Sequence, residues 1–162
     1  MKTKDWILNA IIAALYVVVT GILVPISFGA WQFRVGEMLN HLAVFHKKYI
    51  VGIVAGVFIS NLFFSEFGAY DLLFGVGHSI LSLLLMLFFT RNQHNPRTKM
   101  IINTLMFAVM SFLVAWELNI VVAAPFWFTY LTVAVGELVV MSLGIPLMEY
   151  LDKRLHFSNA MK

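Results

Sequence analysis

Long apolar stretches follow one another along this chain, with only short polar segments between them. Hydrophobic residues make up 61% of the 162 residues and charged residues 12%, which is far more apolar than the roughly half-apolar average of soluble domains. A transmembrane helix needs about 20 residues, so the length allows six crossings and leaves nothing for a separate aqueous domain. We therefore predict an all-α integral membrane protein, a six-transmembrane-helix bundle forming a single domain over residues 1–162. The predicted helices cover approximately residues 6–24, 33–45, 49–64, 70–90, 100–124 and 126–151.

The basic residues predict how this bundle is oriented. All Lys and Arg residues except Arg34 lie in four patches. One patch precedes the first apolar stretch, and the others follow the second, fourth and sixth stretches. The patches are Lys2 and Lys4; Lys47 and Lys48; Arg91, Arg97 and Lys99; and Lys153, Arg154 and Lys162. Basic loops stay in the cytoplasm, so we expect cytoplasmic N and C termini and outward-facing residues 28 and 67. The sequence pI of about 9.3 then reflects topology, with membrane lipid as a partner and no nucleic acid.

The second predicted helix, residues 33–45, is the weakest of the six. About 13 residues of α-helix cover about 20 Å, whereas the hydrocarbon core is about 30 Å thick. This segment crosses only with help from its flanks, or it is bent. If it did not cross, Lys47 and Lys48 would lie outside, so the charge pattern favours six crossings.

Ionisable and amide side chains within the apolar stretches gather at one predicted depth, the extracellular half. Burying a charge at mid-membrane costs at least about 2.5–3.5 kcal/mol, so such groups normally face a partner or a cavity. Arg34 can neutralise only one of the acids, and the surplus of negative groups indicates a cationic or donor-rich ligand. Helical spacing predicts that Glu37 shares a face with His41, and Asp71 with His78. The residues at this depth are Glu37, Asn40, His41, Asn61, Asp71, Glu117, Asn119 and Glu137.

Each of these residues also has a purely structural interpretation. The acids can form internal ion pairs or hydrogen bonds between helices, and Trp31 and Trp127 can belong to the interfacial aromatic belt instead of stacking on a planar ligand. No phosphate-binding loop, hydrolase elbow or recognised metal-site spacing is present. We therefore expect no enzyme activity, no metal and no cofactor in this chain, and any ATP would be hydrolysed by partner subunits.

Small residues in the predicted cytoplasmic half form two faces on which a helix can pack closely. One comprises Ala10, Ala13 and Ala14 on the first helix, and the other is the sequence Gly52-Ile-Val-Ala-Gly56. Packing within the bundle is the alternative for both, and it is favoured for the glycine pair.

Three short sequences within the predicted helices are Gln32-Phe-Arg-Val-Gly-Glu-Met-Leu39, Asp71-Leu-Leu-Phe-Gly75 and Gly136-Glu137. They resemble the QueT family of queuosine-precursor transporters, and the similarity in pattern covers most of the chain. Gly36 stands where a serine is expected, and Asn40 and His41 replace smaller apolar or hydroxyl residues.

This resemblance implies the substrate-binding S component of an energy-coupling factor (ECF) importer in the bacterial plasma membrane. Such a subunit docks through its first helix, here Ala10, Ala13 and Ala14, on a T subunit that is carried by two ATPase subunits. The implied ligand is a deazaguanine of the 7-aminomethyl-7-deazaguanine type. A carboxylate can accept two N–H bonds from its ring edge, a second can pair with the ammonium, and a donor can meet its carbonyl.

These roles define the expected substrate-binding residues. We expect Asp71 to pair with the ammonium and Glu137 or Glu37 to bind the ring edge, with Arg34, Gln32 or Asn40 as the donor. The full expected set is Trp31, Gln32, Arg34, Glu37, Asn40, Asp71, Trp127 and Glu137. The alternatives are an S component for another small aromatic micronutrient and a small homodimeric ion-coupled carrier in which Glu137 couples protons. An intramembrane enzyme with Glu and His as acid and base is the least favoured.

Overall fold

The computed structural model describes residues 1–28 and 32–161, and within these ranges it contains helices and no strand. The predicted all-α class is confirmed. The α-helices are α1 Thr3–Ile22, α2 Val24–Ser27, α3 Leu42–Phe45, α4 Ile50–Phe64, α5 Ala69–Thr90, α6 Pro96–Met110, α7 Phe112–Val122, α8 Phe126–Leu155 and α9 Phe157–Ala160. Two 3-10 helices, Val35–His41 and Lys47–Tyr49, precede α3 and α4.

Five segments of the described chain are long and apolar enough to cross a membrane. They are Thr3–Ile22, Lys47–Phe64, Ala69–Thr90, Pro96–Val122 and Phe126–Leu155. Large apolar side chains such as Phe63 and Leu73 are exposed on the outer faces of these helices, as expected for surfaces that contact lipid rather than water. The protein is therefore a multi-pass membrane protein.

The fifth predicted helix, residues 100–124, is interrupted in the structure. Helices α6 and α7 meet at Ser111, whose hydroxyl donates to the carbonyl of Phe107 at 3.0 Å. A serine that hydrogen-bonds back by four residues bends a helix. The two pieces together form one candidate span.

The second predicted helix, residues 33–45, is not a continuous α-helix. Its central part is the seven-residue 3-10 helix Val35–His41, followed by the four residues of α3. With a rise of about 2.0 Å per 3-10 residue and 1.5 Å per α residue, this segment covers about 20 Å. We call Arg34–Phe45 the return segment, because it brings the chain back through the bundle from the far end of α1 to the end where α1 began.

The packing of α1 on α4 shows that the return segment brings the chain back to the end where α1 began. Asn9 Oδ1 accepts a hydrogen bond from the backbone N–H of Gly52 at 2.7 Å, and Gly56 lies against Tyr16 and the carbonyl of Ala13. Successive positions of α1 therefore meet successive positions of α4, so the two helices run parallel and the return segment joins them.

The glycine pair on α4 is required by this close approach. A Cβ atom at Gly52 would lie 2.6 Å from the carbonyl oxygen of Asn9, and one at Gly56 would lie 2.7 Å from Cβ of Tyr16. The predicted packing role of Gly52 and Gly56 is confirmed. Ala13 is only 7% exposed, so the prediction that it shares an outward face with Ala10 and Ala14 is wrong, because α4 covers it.

The described members of the four basic patches lie at the same end of the bundle, and Lys162 lies outside the described residues. Lys48 Nζ is 3.0 Å from Asp5 Oδ2 and donates to the carbonyl of Met161 at 2.8 Å. Tyr49 donates its hydroxyl proton to the carbonyl of Phe157 at 3.0 Å. We call these five residues the chain-end network. The loop before α6 lies at this end too, since Arg97 Nε is 3.7 Å from Glu149 Oε1 on the last turns of α8.

Candidate binding site

Polar side chains from four elements meet inside the half of the bundle opposite the chain-end network. The return segment supplies Arg34, Glu37 and Asn40, α5 supplies Asp71 and His78, α7 supplies Glu117 and α8 supplies Glu137. All seven are buried. With Gln32, which is also buried, we call these residues the polar cluster. The predicted gathering of the acids Glu37, Asp71, Glu117 and Glu137 in one half of the bundle is confirmed, and the extracellular position of that half stays a prediction.

The 3-10 geometry of the return segment determines which of its side chains lie together. Residues three apart eclipse each other in a 3-10 helix. Accordingly, Arg34 Nη1 is 4.0 Å from Glu37 Oε1, and Asn40 Nδ2 donates to Glu37 Oε2 at 3.2 Å. Gln32 Oε1 accepts from Arg34 Nε at 3.0 Å, which fixes the guanidinium in place.

His41 does not share a face with Glu37, so that prediction is wrong. The prediction assumed an α-helix, in which residues i and i+4 lie on one face. In a 3-10 helix residues i and i+3 share a face instead. His41 Nε2 donates to the carbonyl of Met141 at 2.9 Å, and its Nδ1 accepts from Asn103 Nδ2 at 3.3 Å. His41 therefore links the return segment to α6 and α8.

Asp71 lies at the start of α5, where it holds the loop that precedes the helix. Its Oδ2 accepts from the backbone N–H of Phe67 at 3.1 Å, and its carbonyl accepts from Asn61 Nδ2 at 3.0 Å. Glu117 lies beside this carboxyl group. Apart from this contact, which is within hydrogen-bonding distance, neither oxygen of Glu117 has a hydrogen-bond partner among the residues that the structure describes.

Three acceptor groups converge deeper in the polar cluster. Carboxyl oxygens of Glu37 and Glu137 and a ring nitrogen of His78 all lie within 4.8 Å of one another. The carboxyl groups of Glu37 and Glu137 lie within hydrogen-bonding distance of each other. Apart from this contact, Glu37 Oε1, Glu137 Oε2 and His78 Nδ1 are buried without a hydrogen-bond partner in the described part of the chain. We call this group the acceptor triad. Carboxylate oxygen and imidazole nitrogen are also ligands that zinc accepts, so these are the candidate metal ligands, in contrast to the expectation of none.

The polar cluster carries an excess of negative groups. Glu37, Asp71, Glu117 and Glu137 face the single guanidinium of Arg34. Buried carboxyl groups at close range cannot all ionise unless cations or hydrogen-bond donors compensate them. Among the described residues, Arg34 Nη2 also has no hydrogen-bond partner, so the cluster offers several unused acceptors and one unused donor.

A cavity of about 350 Å³ lies at this end of the bundle. Gln32 joins it to the polar cluster, since the same side chain lines the cavity and accepts from Arg34. Phe28 also lines it, and the guanidinium carbon of Arg34 lies 5.3 Å from the centroid of the Phe28 ring. The remaining lining residues are Phe67, Leu118, Val122, Ala124, Pro125, Phe128, Thr129 and Thr132.

Two tryptophans, Trp31 and Trp127, were expected to contact the ligand. Trp127 is 73% exposed and does not line this cavity, so its expected place in the site is wrong: it lies on the outer face at the start of α8. Trp31 lies outside the described residues. Phe28, Phe67 and Phe128 are the aromatic residues that the structure places around the cavity.

Tyr16 is a site residue that the sequence analysis missed. It is buried beside the return segment, where a Cβ atom at Gly36 would lie 3.3 Å from Cζ of the Tyr16 ring and 2.8 Å from Thr20 Oγ1. Asp5, Asn9, Tyr16 and Thr20 all lie on the buried side of α1. These four residues form a polar stripe along an otherwise apolar helix. Their helical spacing in the sequence indicates the buried face of α1.

The two outward-facing alanines of α1 lie on a wide apolar surface. Ala10 and Ala14 are exposed, and they alternate with Ile7, Ile11 and Leu15, which are exposed as well. Next to them, an apolar groove of about 450 Å³ runs between α1, the return segment and the last turns of α8. This surface is available to a neighbouring protein or to lipid.

Apolar helices that enclose a buried polar cluster define an integral membrane protein, and the incompletely paired groups of the cluster make it the candidate site for a polar solute. The model of the QueT transporter family matches residues 6–153. A curated relative, the queuosine precursor transporter QueT of Lactococcus lactis subsp. cremoris (strain MG1363), is 37% identical over 166 residues, covering 97% of each chain. No solved structure matches the chain. The chain belongs to the QueT transporter family, and it is a transporter rather than an enzyme.

Proposed function

We propose that this chain is the substrate-binding S component of an ECF-type importer in the bacterial plasma membrane. In this proposal it captures a queuosine precursor of the 7-aminomethyl-7-deazaguanine type from the extracellular side. The observation that carries the proposal is the polar cluster, whose buried acceptors lack partners among the described residues at the end of the bundle opposite the basic patches. The name of the Lactococcus lactis relative supports the class of ligand.

The chemistry of a deazaguanine matches the unused groups of the cluster. Its ring edge offers adjacent N–H donors, which one carboxylate can accept together. Glu117 contacts the carboxyl group of Asp71, and both of its oxygens are buried without an N–H donor in the described chain, so we assign it the ring edge in place of Glu37 or Glu137. Arg34 Nη2, also unused there, would donate to the ring carbonyl, and Phe28 would cover the ring.

Calorimetric titration of the purified chain with 7-aminomethyl-7-deazaguanine tests the ligand. We expect saturable binding by the wild type and a loss of at least about tenfold in Glu117→Gln, because the amide turns an acceptor into a donor that faces a donor. Glu149→Gln is the control, since Glu149 lies near Arg97 at the opposite end of the bundle and its substitution should leave binding unchanged. Riboflavin and thiamine serve as other aromatic micronutrients, and tight binding of either one instead would overturn the ligand assignment.

The proposed partners are a T subunit and two ATPase subunits, which hydrolyse ATP while this chain holds no cofactor. The exposed face of Ala10 and Ala14 supports a helix-docking surface, because small residues allow close approach. Ala14→Trp should abolish uptake into cells and leave calorimetric ligand binding intact. Leu84→Trp, an exposed position on α5, should leave both unchanged.

A homodimeric ion-coupled carrier is the second candidate, favoured by the adjacent carboxyl groups of Glu37 and Glu137. Intramembrane carboxylates commonly couple proton movement to transport. Co-purification of the chain with a T subunit and two ATPases supports the S component. Uptake by the chain alone into liposomes, driven by a proton gradient, would support the carrier instead.

Six membrane crossings with cytoplasmic termini are part of the proposal. The chain contains no cysteine, so single cysteines can be labelled without background. A membrane-impermeant maleimide applied to intact cells should label Glu66→Cys and should not label Gln93→Cys, both of which are exposed positions. The reverse pattern would invert the bundle and place the cavity on the cytoplasmic side.

A further inference from the structure

We infer that the acceptor triad of Glu37, His78 and Glu137 binds a primary alkylammonium group, with one N–H bond to each residue. The inference rests on the proposed function, which assigns the deazaguanine ring to other residues of the polar cluster. It adds that three specific atoms recognise the aminomethyl substituent. The triad then determines which precursors the protein accepts.

The hydrogen bonding of His78 shows which of its nitrogens is an acceptor. Its Nε2 lies 3.0 Å from the carbonyl oxygen of Phe107. A carbonyl oxygen only accepts hydrogen bonds, so Nε2 carries the proton and the neutral ring presents a lone pair at Nδ1. That nitrogen is fully buried and unpartnered among the described residues.

The spacing of the triad suits an ammonium group. Three acceptors placed about 2.8 Å from one nitrogen, along its tetrahedral N–H directions, lie about 4.6 Å from one another. In the triad, one oxygen of each carboxyl group and one ring nitrogen of His78 lie within 4.8 Å of one another. One primary ammonium can therefore satisfy all three groups without a large movement.

When both carboxyl groups of the triad are ionised, their charge also favours a cation. Arg34 Nη1 is 4.0 Å from Glu37 Oε1 and offsets one of the two carboxylates. The second carboxylate, on Glu137, has no cation within salt-bridge distance in the described chain. A ligand with a single positive charge completes the balance.

Asp71, the residue expected from the sequence to bind the ammonium, is less suited to this role. One of its carboxyl oxygens accepts from the backbone N–H of Phe67, so it stabilises the loop before α5. By contrast, each member of the triad has an atom that is buried and unused within the described residues.

Three ligands that differ at one substituent test the inference on the wild-type chain. They are 7-aminomethyl-7-deazaguanine, its trimethylammonium derivative, which keeps the charge without N–H donors, and 7-cyano-7-deazaguanine, which is neutral. We expect the primary amine to bind at least about 100-fold more tightly than either of the others, because three charge-assisted hydrogen bonds are lost.

Two substitutions of His78 separate its roles. In His78→Gln the side-chain amide can still donate to the Phe107 carbonyl, but the acceptor at the Nδ1 position is lost. In His78→Asn the amide oxygen can take the position of Nδ1, and the bond to Phe107 is lost. We expect His78→Gln to reduce the preference for the amine over the nitrile by about tenfold at an unchanged melting temperature. We expect His78→Asn to keep the preference and melt at a lower temperature.

The outcomes distinguish failure of this inference from failure of the proposed function. If wild type binds amine and nitrile equally, the ammonium assignment is overturned while the deazaguanine function stands. If it binds none of the three, the proposed function itself fails. Equal binding of the primary and trimethylated amines would overturn the three N–H contacts. Zinc ions titrated alone should not bind, and zinc binding that His78→Gln abolishes would make the triad a metal site and overturn the inference.

Discussion

Buried charges occur at both ends of this bundle, and the two ends treat them differently. In the chain-end network, Asp5 Oδ2 accepts from Lys48 Nζ at 3.0 Å and from the backbone N–H of Lys2 at 2.9 Å. Lys48 uses a further proton for the carbonyl of Met161. In the polar cluster, Glu37, Glu117 and Glu137 all retain at least one buried oxygen without a partner in the described chain.

In the proposed function, this difference separates structural charges from charges that bind a ligand. Leaving a buried polar group unsatisfied is unfavourable, and the acids of the polar cluster contact one another, Glu37 with Glu137 and Glu117 with Asp71, instead of each pairing with a cation. A ligand that supplies hydrogen-bond donors to these acids should therefore stabilise the protein. The chain-end network should be indifferent to the ligand.

Arg34→Ala should produce the largest effect, because it removes the only cation of the polar cluster within the described residues. Breaking a buried ion pair by removing one partner costs about 3–5 kcal/mol, so we expect a strongly lowered melting temperature in detergent and no detectable ligand binding. Arg34→Lys keeps the charge without the planar donor group and should recover stability more than binding. A fully stable Arg34→Ala protein would break the comparison, because the acids would then need no compensation.

Gly56→Ala should have the next largest effect, since Gly56 lies on the seam of α1 and α4 that joins the two ends. The added methyl group would lie 2.7 Å from Cβ of Tyr16, and overpacking of this kind costs about 1–3 kcal/mol. Gly77→Ala is the matched control, because no atom lies within 4 Å of the corresponding Cβ position. Thermal unfolding of the two variants measures the difference, and equal melting temperatures would contradict the close packing.

Paired substitutions at the two ends should have opposite effects. Glu137→Gln removes one of two adjacent carboxyl groups, so we expect an unchanged or higher melting temperature and binding that is at least about tenfold weaker. Asp5→Asn should lower the melting temperature, because Lys48 loses its anionic partner, and should leave binding unchanged. Thermal unfolding measures the stability of both variants, and calorimetry measures their ligand binding. If both change stability in the same direction, the distinction between the two ends is lost.

Trp127→Ala should have the smallest effect. Its side chain is 73% exposed on the outer face of α8, and substitutions of exposed residues usually change stability by less than about 0.5 kcal/mol. Ligand binding should stay within about twofold of wild type for the same reason. Phe28→Ala, which uncovers Arg34, should weaken binding more, and a reversed order would return Trp127 to the site.

The sequence predicts the long helices well because bilayer thickness sets their length. Residues 49–64 and 70–90 were predicted as helices, and the structure has Ile50–Phe64 and Ala69–Thr90. The gathering of acids in one half also follows from sequence, since each acid has a depth along its own helix. Neither result requires knowledge of the contacts between helices.

Features that depend on contacts between helices were not predicted. The 3-10 conformation of the return segment is stabilised by neighbours that the local sequence does not specify, and it places Asn40 rather than His41 beside Glu37. The interruption at Ser111 depends on one side-chain hydrogen bond. Trp127 was assigned to the site from its depth alone, whereas its angular position on α8 places its side chain on the outer face.

The return segment also affects how the protein is made. It is short and contains Arg34, Glu37 and His41, and segments with such residues enter the membrane poorly by themselves. Its final surroundings include α6 and α8, because His41 is hydrogen-bonded to Asn103 and to the carbonyl of Met141. The ribosome must therefore complete α8 before the return segment is fully enclosed. Chains truncated before α8 should accordingly be targets for membrane quality-control proteases.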